Sequence, residues 1–369
     1  MSALSRKQLN LLQAFRGLAA ILVLLYHGTT MTAINLQQVL FGNSFVFAHV
    51  GVNFFFVLSG FIIFYIHKID IGKKHKLKDF LIKRFIRVYP VYWLVLIPRL
   101  LVSRKEIDIF TALSSIVLFP YPDPPLVNVS WTLSYEIFFY LIFSLTMIAG
   151  FRYLKVVVII WLGLLGIYWL LYTANIFAFN QNNLIFKFIF SYHHLEFGFG
   201  CLAAYIVKEY KIKSGKIILA TGMILFTLSS IATVNYINGI ADSTLASPVM
   251  RAQGIKTSLE ELGFIYYGIP SFLIILGAAS IELVQEIKVP KVWVYLGDAS
   301  YSIYLIHGTI INNLTLLIKK IQIETFFQND ISKLLILFVA LIVGCLFHSY
   351  IEKPLINKVK KQVLVYKSN

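Results

Sequence analysis

Arg16 and His27 stand 11 residues apart inside the first long apolar stretch of the chain. On an α-helix that spacing is three turns plus about 20°, so both fall on one face, about 16 Å apart along the axis. Ionisable side chains are costly inside a bilayer, which makes each a candidate for chemistry. Arg16 offers a fixed charge and a fork of N–H donors to a phosphate or a carbonyl. His27 can take a proton near neutral pH. The spacing suits equally well a snorkelling arginine and a histidine satisfied by a neighbouring helix.

Further polar residues interrupt the apolar stretches. The run from Gly51 to Phe61 holds two glycines and Ser59, small residues that let helices approach closely. It also holds Asn53, whose amide needs partners when buried. Arg84 and Arg87, three residues apart, share a helix face at the edge of the third stretch and suit a phosphate-bearing ligand. Ordinary inside-facing charge or anionic lipid explains Lys73, Lys74 and Lys76 better than it explains this arginine pair. Glu136 lies within an apolar stretch beside Ser134, Tyr135 and Tyr140. A carboxyl there must be paired or protonated, and it could orient a histidine, activate a hydroxyl or simply join two helices.

His193, His194 and Glu196 form a second cluster. Adjacent histidines on a helix point about 100° apart, poor geometry for a metal, so no metal site is expected and Glu196 is expected to reach another helix. Tyr301, Tyr304 and His307 recur every third residue as one polar stripe. Glu352 is expected to pair with a basic loop, with Pro354 as a helix stop. Serine-protease, phosphate-loop and zinc signatures are absent from the sequence.

The elements that must position these residues are transmembrane helices. Of 369 residues, 58% are hydrophobic and only 14% charged, against about 25% charged in soluble domains. A water-soluble fold has too little polar surface to hide that much apolar area. About ten stretches, near residues 11–33, 45–67, 81–101, 129–149, 153–173, 184–207, 216–236, 262–283, 298–318 and 332–351, are long enough to span a bilayer. The first is read as a retained anchor rather than a signal peptide.

With the N-terminus inside, inward-facing segments carry 23 Lys and Arg and outward-facing ones 9, which predicts both termini in the cytoplasm. The net charge of +16 is therefore topological and does not call for nucleic acid. Cys201 and Cys345 lie within apolar stretches and imply no disulfide. Two outer loops are long: 102–128, with Pro120, Pro122, Pro124 and Pro125, and the polar 237–261. The expectation is one all-α integral membrane domain over residues 1–369, its core about 11–355, with nothing appended at either end.

Taken in order from Arg16 to Pro354, these segments resemble the membrane-bound acyltransferase family 3. The arginine–histidine spacing is the most specific single feature, and the Trp131–Tyr140 stretch is most similar to the exopolysaccharide branch. The resemblance implies ten core helices in a bacterial-type inner or plasma membrane. It implies acyl-coenzyme A, acetyl-CoA above all, as donor substrate, with no tightly bound cofactor, and transfer of a short acyl group to a hydroxyl of an exported polysaccharide or its lipid-linked precursor. It implies catalytic importance for Arg16 and His27 and roles for Arg84, Arg87 and Ser59. The family usually has an acidic residue where this chain has Asn53, so a carboxylate partner for His27 is in doubt there; Glu136 is the substitute to consider, or Asn53 orients the ring. On this reading Tyr301 and His307 join Arg84, Arg87, Asn53 and Ser59 as binding residues, and Glu136 joins the catalytic set. Direct transfer with His27 as base and passage through an acyl-His27 both remain open. A transporter or flippase for a lipid-linked sugar would need mid-membrane polar residues too, but paired halves with broken helices are not evident.

Overall fold

The computed structural model describes residues 9–102, 107–121, 125–148, 151–174, 176, 184–243 and 262–368. Arg6, Lys7, Arg104, Lys105, Pro122, Pro124, Arg251 and Lys256 lie outside them, as does most of the 237–261 loop. Every regular element among the described residues is helical.

The α-helices are α1 (Asn10–Leu36), α2 (Gly51–His67), α3 (Leu77–Val102), α4 (Ile109–Val117), α5 (Trp131–Ile148), α6 (Phe151–Thr173), α7 (Leu184–Ile189), α8 (His193–Glu209), α9 (Gly215–Ser243), α10 (Ile269–Val284), α11 (Lys291–Lys320), α12 (Asp330–Phe347) and α13 (Lys353–Ser368). Among the described residues, eight helical segments are long and apolar enough to cross a membrane. The chain is a multi-pass membrane protein. The stretch expected as one span near 184–207 is two helices, α7 and α8, parted by a turn at 190–192. Pro354 does not end the last span: a π-turn, His348–Glu352, leads straight into α13.

Two helix pairs form the spine, α1 against α11 and α2 against α8. Lipid is as apolar as leucine, so water exclusion does not drive helices together within a bilayer; close packing does. Glycines make it possible here. A Cβ on Gly297 of α11 would lie 2.0 Å from the carbonyl oxygen of Gln13 on α1. A Cβ on Gly200 of α8 would lie 1.9 Å from that of Val57 on α2, and one on Gly60 2.1 Å from that of Phe197. The backbones of α2 and α8 thus touch where Gly60 and Gly200 cross, as the sequence pattern around Ser59 and Gly60 implies. α9 keeps a row of exposed apolar side chains, Ile224, Leu228 and Ile231, facing outward.

Six helices that carry candidate polar residues, α1, α2, α3, α5, α8 and α11, converge on a core containing Phe56, Val88, Tyr92, Leu133, Tyr140, Phe197, Tyr301 and Tyr304. Pro90 and Pro98 both lie inside α3, which runs unbroken past them.

Candidate functional site

Two cavities open within this bundle and share the side chains of Val52 and Tyr304. The inner one, about 290 Å³, is lined by Arg16, Ser59, Arg84, Arg87, Glu136, Tyr140, Ser300 and Tyr301 among others. The outer one, about 580 Å³, is lined by His27, His49, Asn53, Ser130, Trp131 and His193 among others. Arg16 and His27 therefore both face inward from α1, each into a different chamber.

The inner chamber is a nest of guanidinium groups. No carboxylate closes an ion pair with Arg16, Arg84 or Arg87 among the described residues. Arg87, Glu352 and Glu136 are close enough to act on Arg16 electrostatically. Arg87 lies over the ring of Tyr301, 5.8 Å from its centroid. Arg84 lies 5.5 Å from the ring centroids of Phe80 and Tyr140. These ring contacts hold Arg84 and Arg87 in place without using their N–H donors as ion-pair partners.

Arg84 is anchored further. Its Nη2 donates to Nε2 of His67 at 3.0 Å, and His67 Nδ1 donates to Asp70 at 2.8 Å. An arginine can only donate, so Nε2 of His67 must be the accepting nitrogen. Sequence reading passed over His67 because it sits beside a basic loop; its only signal is a histidine three residues before an aspartate.

Glu136 stands opposite the arginines. It accepts a hydrogen bond from Tyr140, one helical turn on, and a longer one from Ser59 Oγ at 3.4 Å. Its hydrogen bonds go to these two hydroxyls and not to His27, and it lines only the inner chamber. Glu352 is not paired with a basic loop: it is buried, accepting from Ser302 at 2.6 Å and His348 at 2.8 Å. The π-turn that carries it swings its side chain into the bundle.

The stripe on α11 links the chambers. Tyr301 donates to the Val88 carbonyl at 2.8 Å, Tyr304 shares a 2.9 Å hydrogen bond with Thr132, and His307 lies next to His27 with ring centroids 4.9 Å apart. His307 lines neither chamber. Its Nδ1 bonds the Ile303 carbonyl at 3.0 Å, and its Nε2 is buried without a partner. A histidine donating through Nδ1 keeps a bare lone pair on Nε2, so His307 presents an acceptor to the interior behind His27.

Asn53 does not pair with His27. It donates to Glu196 at 2.5 Å, and the other Glu196 oxygen accepts from His193 Nδ1 at 2.9 Å. Glu196 does reach another helix, α2. His194 turns away from its neighbour: its Nε2 bonds the Phe188 carbonyl at 2.9 Å. The two histidines diverge, as their adjacency on a helix requires.

A charged, donor-rich pocket that shares a wall at Val52 and Tyr304 with a larger one walled by aromatic and imidazole rings can hold a phosphate-bearing molecule and a polyol side by side. Comparison with known proteins points the same way. Residues 9–350 match the family profile described as Acyltransferase domain. The chain is similar to the exopolysaccharide production protein ExoZ of Rhizobium meliloti (strain 1021), 27% identical over 293 residues that cover 72% of this chain and 77% of that protein. No solved structure matches.

Proposed function

Because the chain belongs to the acyltransferase family that its sequence matches over residues 9–350, we propose that it carries a short acyl group, acetyl above all, from acyl-coenzyme A to a hydroxyl of an exported polysaccharide or its lipid-linked precursor. It works in the inner or plasma membrane with both termini in the cytoplasm. The similarity to an exopolysaccharide production protein supports the choice of acceptor.

The observation that carries this reading is the pair of adjoining chambers, one arginine-lined and one histidine-lined, with Val52 and Tyr304 in both walls. The phosphates of the donor sit among Arg16, Arg84 and Arg87, whose charges no carboxylate neutralises by direct pairing. Guanidinium groups suit phosphates because their forked donors make charge-assisted bonds. The flexible arm of coenzyme A then spans the ~16 Å from Arg16 to His27, past Val52 and Tyr304, and delivers the thioester to the boundary. Glu136, with Ser59 and Tyr140, lines that route and fixes hydroxyl donors along it.

The glycan hydroxyl enters from the outer chamber. His27 takes its proton as the oxygen attacks the thioester carbon. The C–S bond breaks, the electron pair leaves on sulfur, and the thiolate recovers the proton. His307, packed on His27, holds the imidazole in place. Tyr304, whose hydroxyl is bonded to Thr132, forms the shared wall past which the thioester arrives.

The test is direct. Purified protein is given radiolabelled acetyl-CoA and base-deacetylated polysaccharide from the cells that make it. Label bound to the glycan through an ester supports the reading; a folded, donor-binding protein that transfers none contradicts it.

A further inference from the structure

The proposed reaction leaves a built cluster in the outer chamber unused. Glu196, on the first turn of α8, is completely buried. A carboxylate at a helix N-terminus is favoured by the dipole, but burial still requires hydrogen bonds. Two serve it: Asn53 Nδ2 at 2.5 Å on one oxygen and His193 Nδ1 at 2.9 Å on the other. The arrangement fixes the tautomer of His193. With Nδ1 donating to Glu196, the neutral ring has a bare acceptor at Nε2, and Nε2 has no protein partner among the described residues. The ring lines the outer chamber.

Aromatic groups frame that ring. Trp131 lies 5.4 Å from it, Tyr135 5.3 Å and Phe56 4.6 Å, centroid to centroid. Trp131 is 38% exposed although it begins a helix packed in the bundle. A ligand that fits this corner offers an apolar face to an indole and a hydrogen-bond donor to a lone pair. An anion is disfavoured there, since the buried Glu196 lies directly behind the ring. A pyranose ring meets both demands, with C–H groups on its face and hydroxyls at its edge.

We propose that His193 and Trp131 form a recognition subsite for one neutral sugar ring of the acceptor, with Glu196 and Asn53 as positioning residues that hold His193 Nε2 ready to accept a glycan hydroxyl. This inference rests on the reading of the outer chamber as the acceptor entrance. The subsite sets which glycan binds; the transfer itself stays with His27.

The experiment measures acetyl transfer by the full-length protein in lipid nanodiscs. Acetyl-CoA and the deacetylated polysaccharide are varied separately, for wild type, His193→Asn, Trp131→Ala and Glu196→Gln. Asparagine at 193 can still donate to Glu196 from the place of Nδ1 but carries no acceptor to the place of Nε2, which guards against simple misfolding. The expected result is an acceptor KM raised about tenfold in His193→Asn and in Trp131→Ala, with the donor KM unchanged. Glu196→Gln should raise the acceptor KM in the same direction, because the carboxylate no longer fixes the tautomer. An unchanged acceptor KM in His193→Asn and Trp131→Ala overturns the subsite, and so does an equal rise in both KM values, which marks a structural role. A wild-type protein that moves no label fails the functional reading itself, and the inference with it. Wild-type transfer with indifferent variants fails the inference alone.

Discussion

The two chambers share α1, α2, α3, α5 and α11 and hold opposite chemistries. The inner chamber collects three arginines, Arg84 held by ring faces and by His67 and Arg87 by the ring of Tyr301, with Glu136 tied up by Tyr140 and Ser59. The outer chamber holds no arginine and a single lysine, Lys187, among its lining residues; it collects histidines, tyrosines and tryptophans. Fixed charge selects a charged donor and pays little attention to its shape. Aromatic walls and a single fixed lone pair select a neutral, shaped polyol. The boundary at Val52 and Tyr304 is where a molecule of each kind can meet.

The largest expected effect lies at that boundary. His27→Ala should lower acyl transfer by about 10²–10⁴-fold, the usual worth of a general base, while coenzyme A binding to the inner chamber persists. Transfer by that variant within a few-fold of wild type would remove His27 from the reaction. A loss of both transfer and donor binding would instead erase the division between the chambers.

Next come the arginines. Each charge-assisted bond to a phosphate is worth roughly 1.5–3 kcal/mol, so Arg87→Ala or Arg16→Ala should raise the donor KM about 10- to 150-fold with the acceptor KM unchanged. Salt sharpens the contrast. Donor binding should weaken as ionic strength rises, because the phosphate contacts are electrostatic, while acceptor binding should barely move. Salt sensitivity of the acceptor KM equal to that of the donor would place charge recognition in both chambers.

A smaller, structural effect is expected from the helix crossing that sets the chambers' common wall. Gly200→Ala places a Cβ against the Val57 carbonyl. The overpacking should cost about 1–3 kcal/mol, read as a lower unfolding temperature in detergent, and should shift both KM values because α2 carries Ser59 and Asn53. Unchanged stability would mean that α2 and α8 adjust freely. The smallest effect is Tyr140→Phe, which removes one hydrogen bond to Glu136; a net worth of about 1 kcal/mol predicts a loss of about fivefold, confined to the donor side.

Much of this was legible in the sequence. Apolar length gave the membrane class, and helical periodicity put Arg16 and His27 on one inward face. Glycine spacing around Ser59 pointed to close helix contact, which Gly60 and Gly200 make. What stayed hidden depends on pairing between distant segments. Glu196 lies 143 residues from Asn53, and no local pattern announces that an amide on α2 meets a carboxylate on α8. Glu352 looked like a surface charge because its neighbours are basic, yet a π-turn buries it. His307 looked like a chamber residue because it continues the Tyr301–Tyr304 stripe, but the helix carries it behind His27.

The most direct test of the two-chamber account is sidedness. Protein of uniform orientation in sealed vesicles is supplied with acetyl-CoA on one face and deacetylated polysaccharide on the other, then with both on the same face. The account predicts ester-linked label on the glycan only when donor and acceptor lie on opposite faces, with the donor on the side of the N-terminus. Equal labelling with both substrates on one face would contradict it.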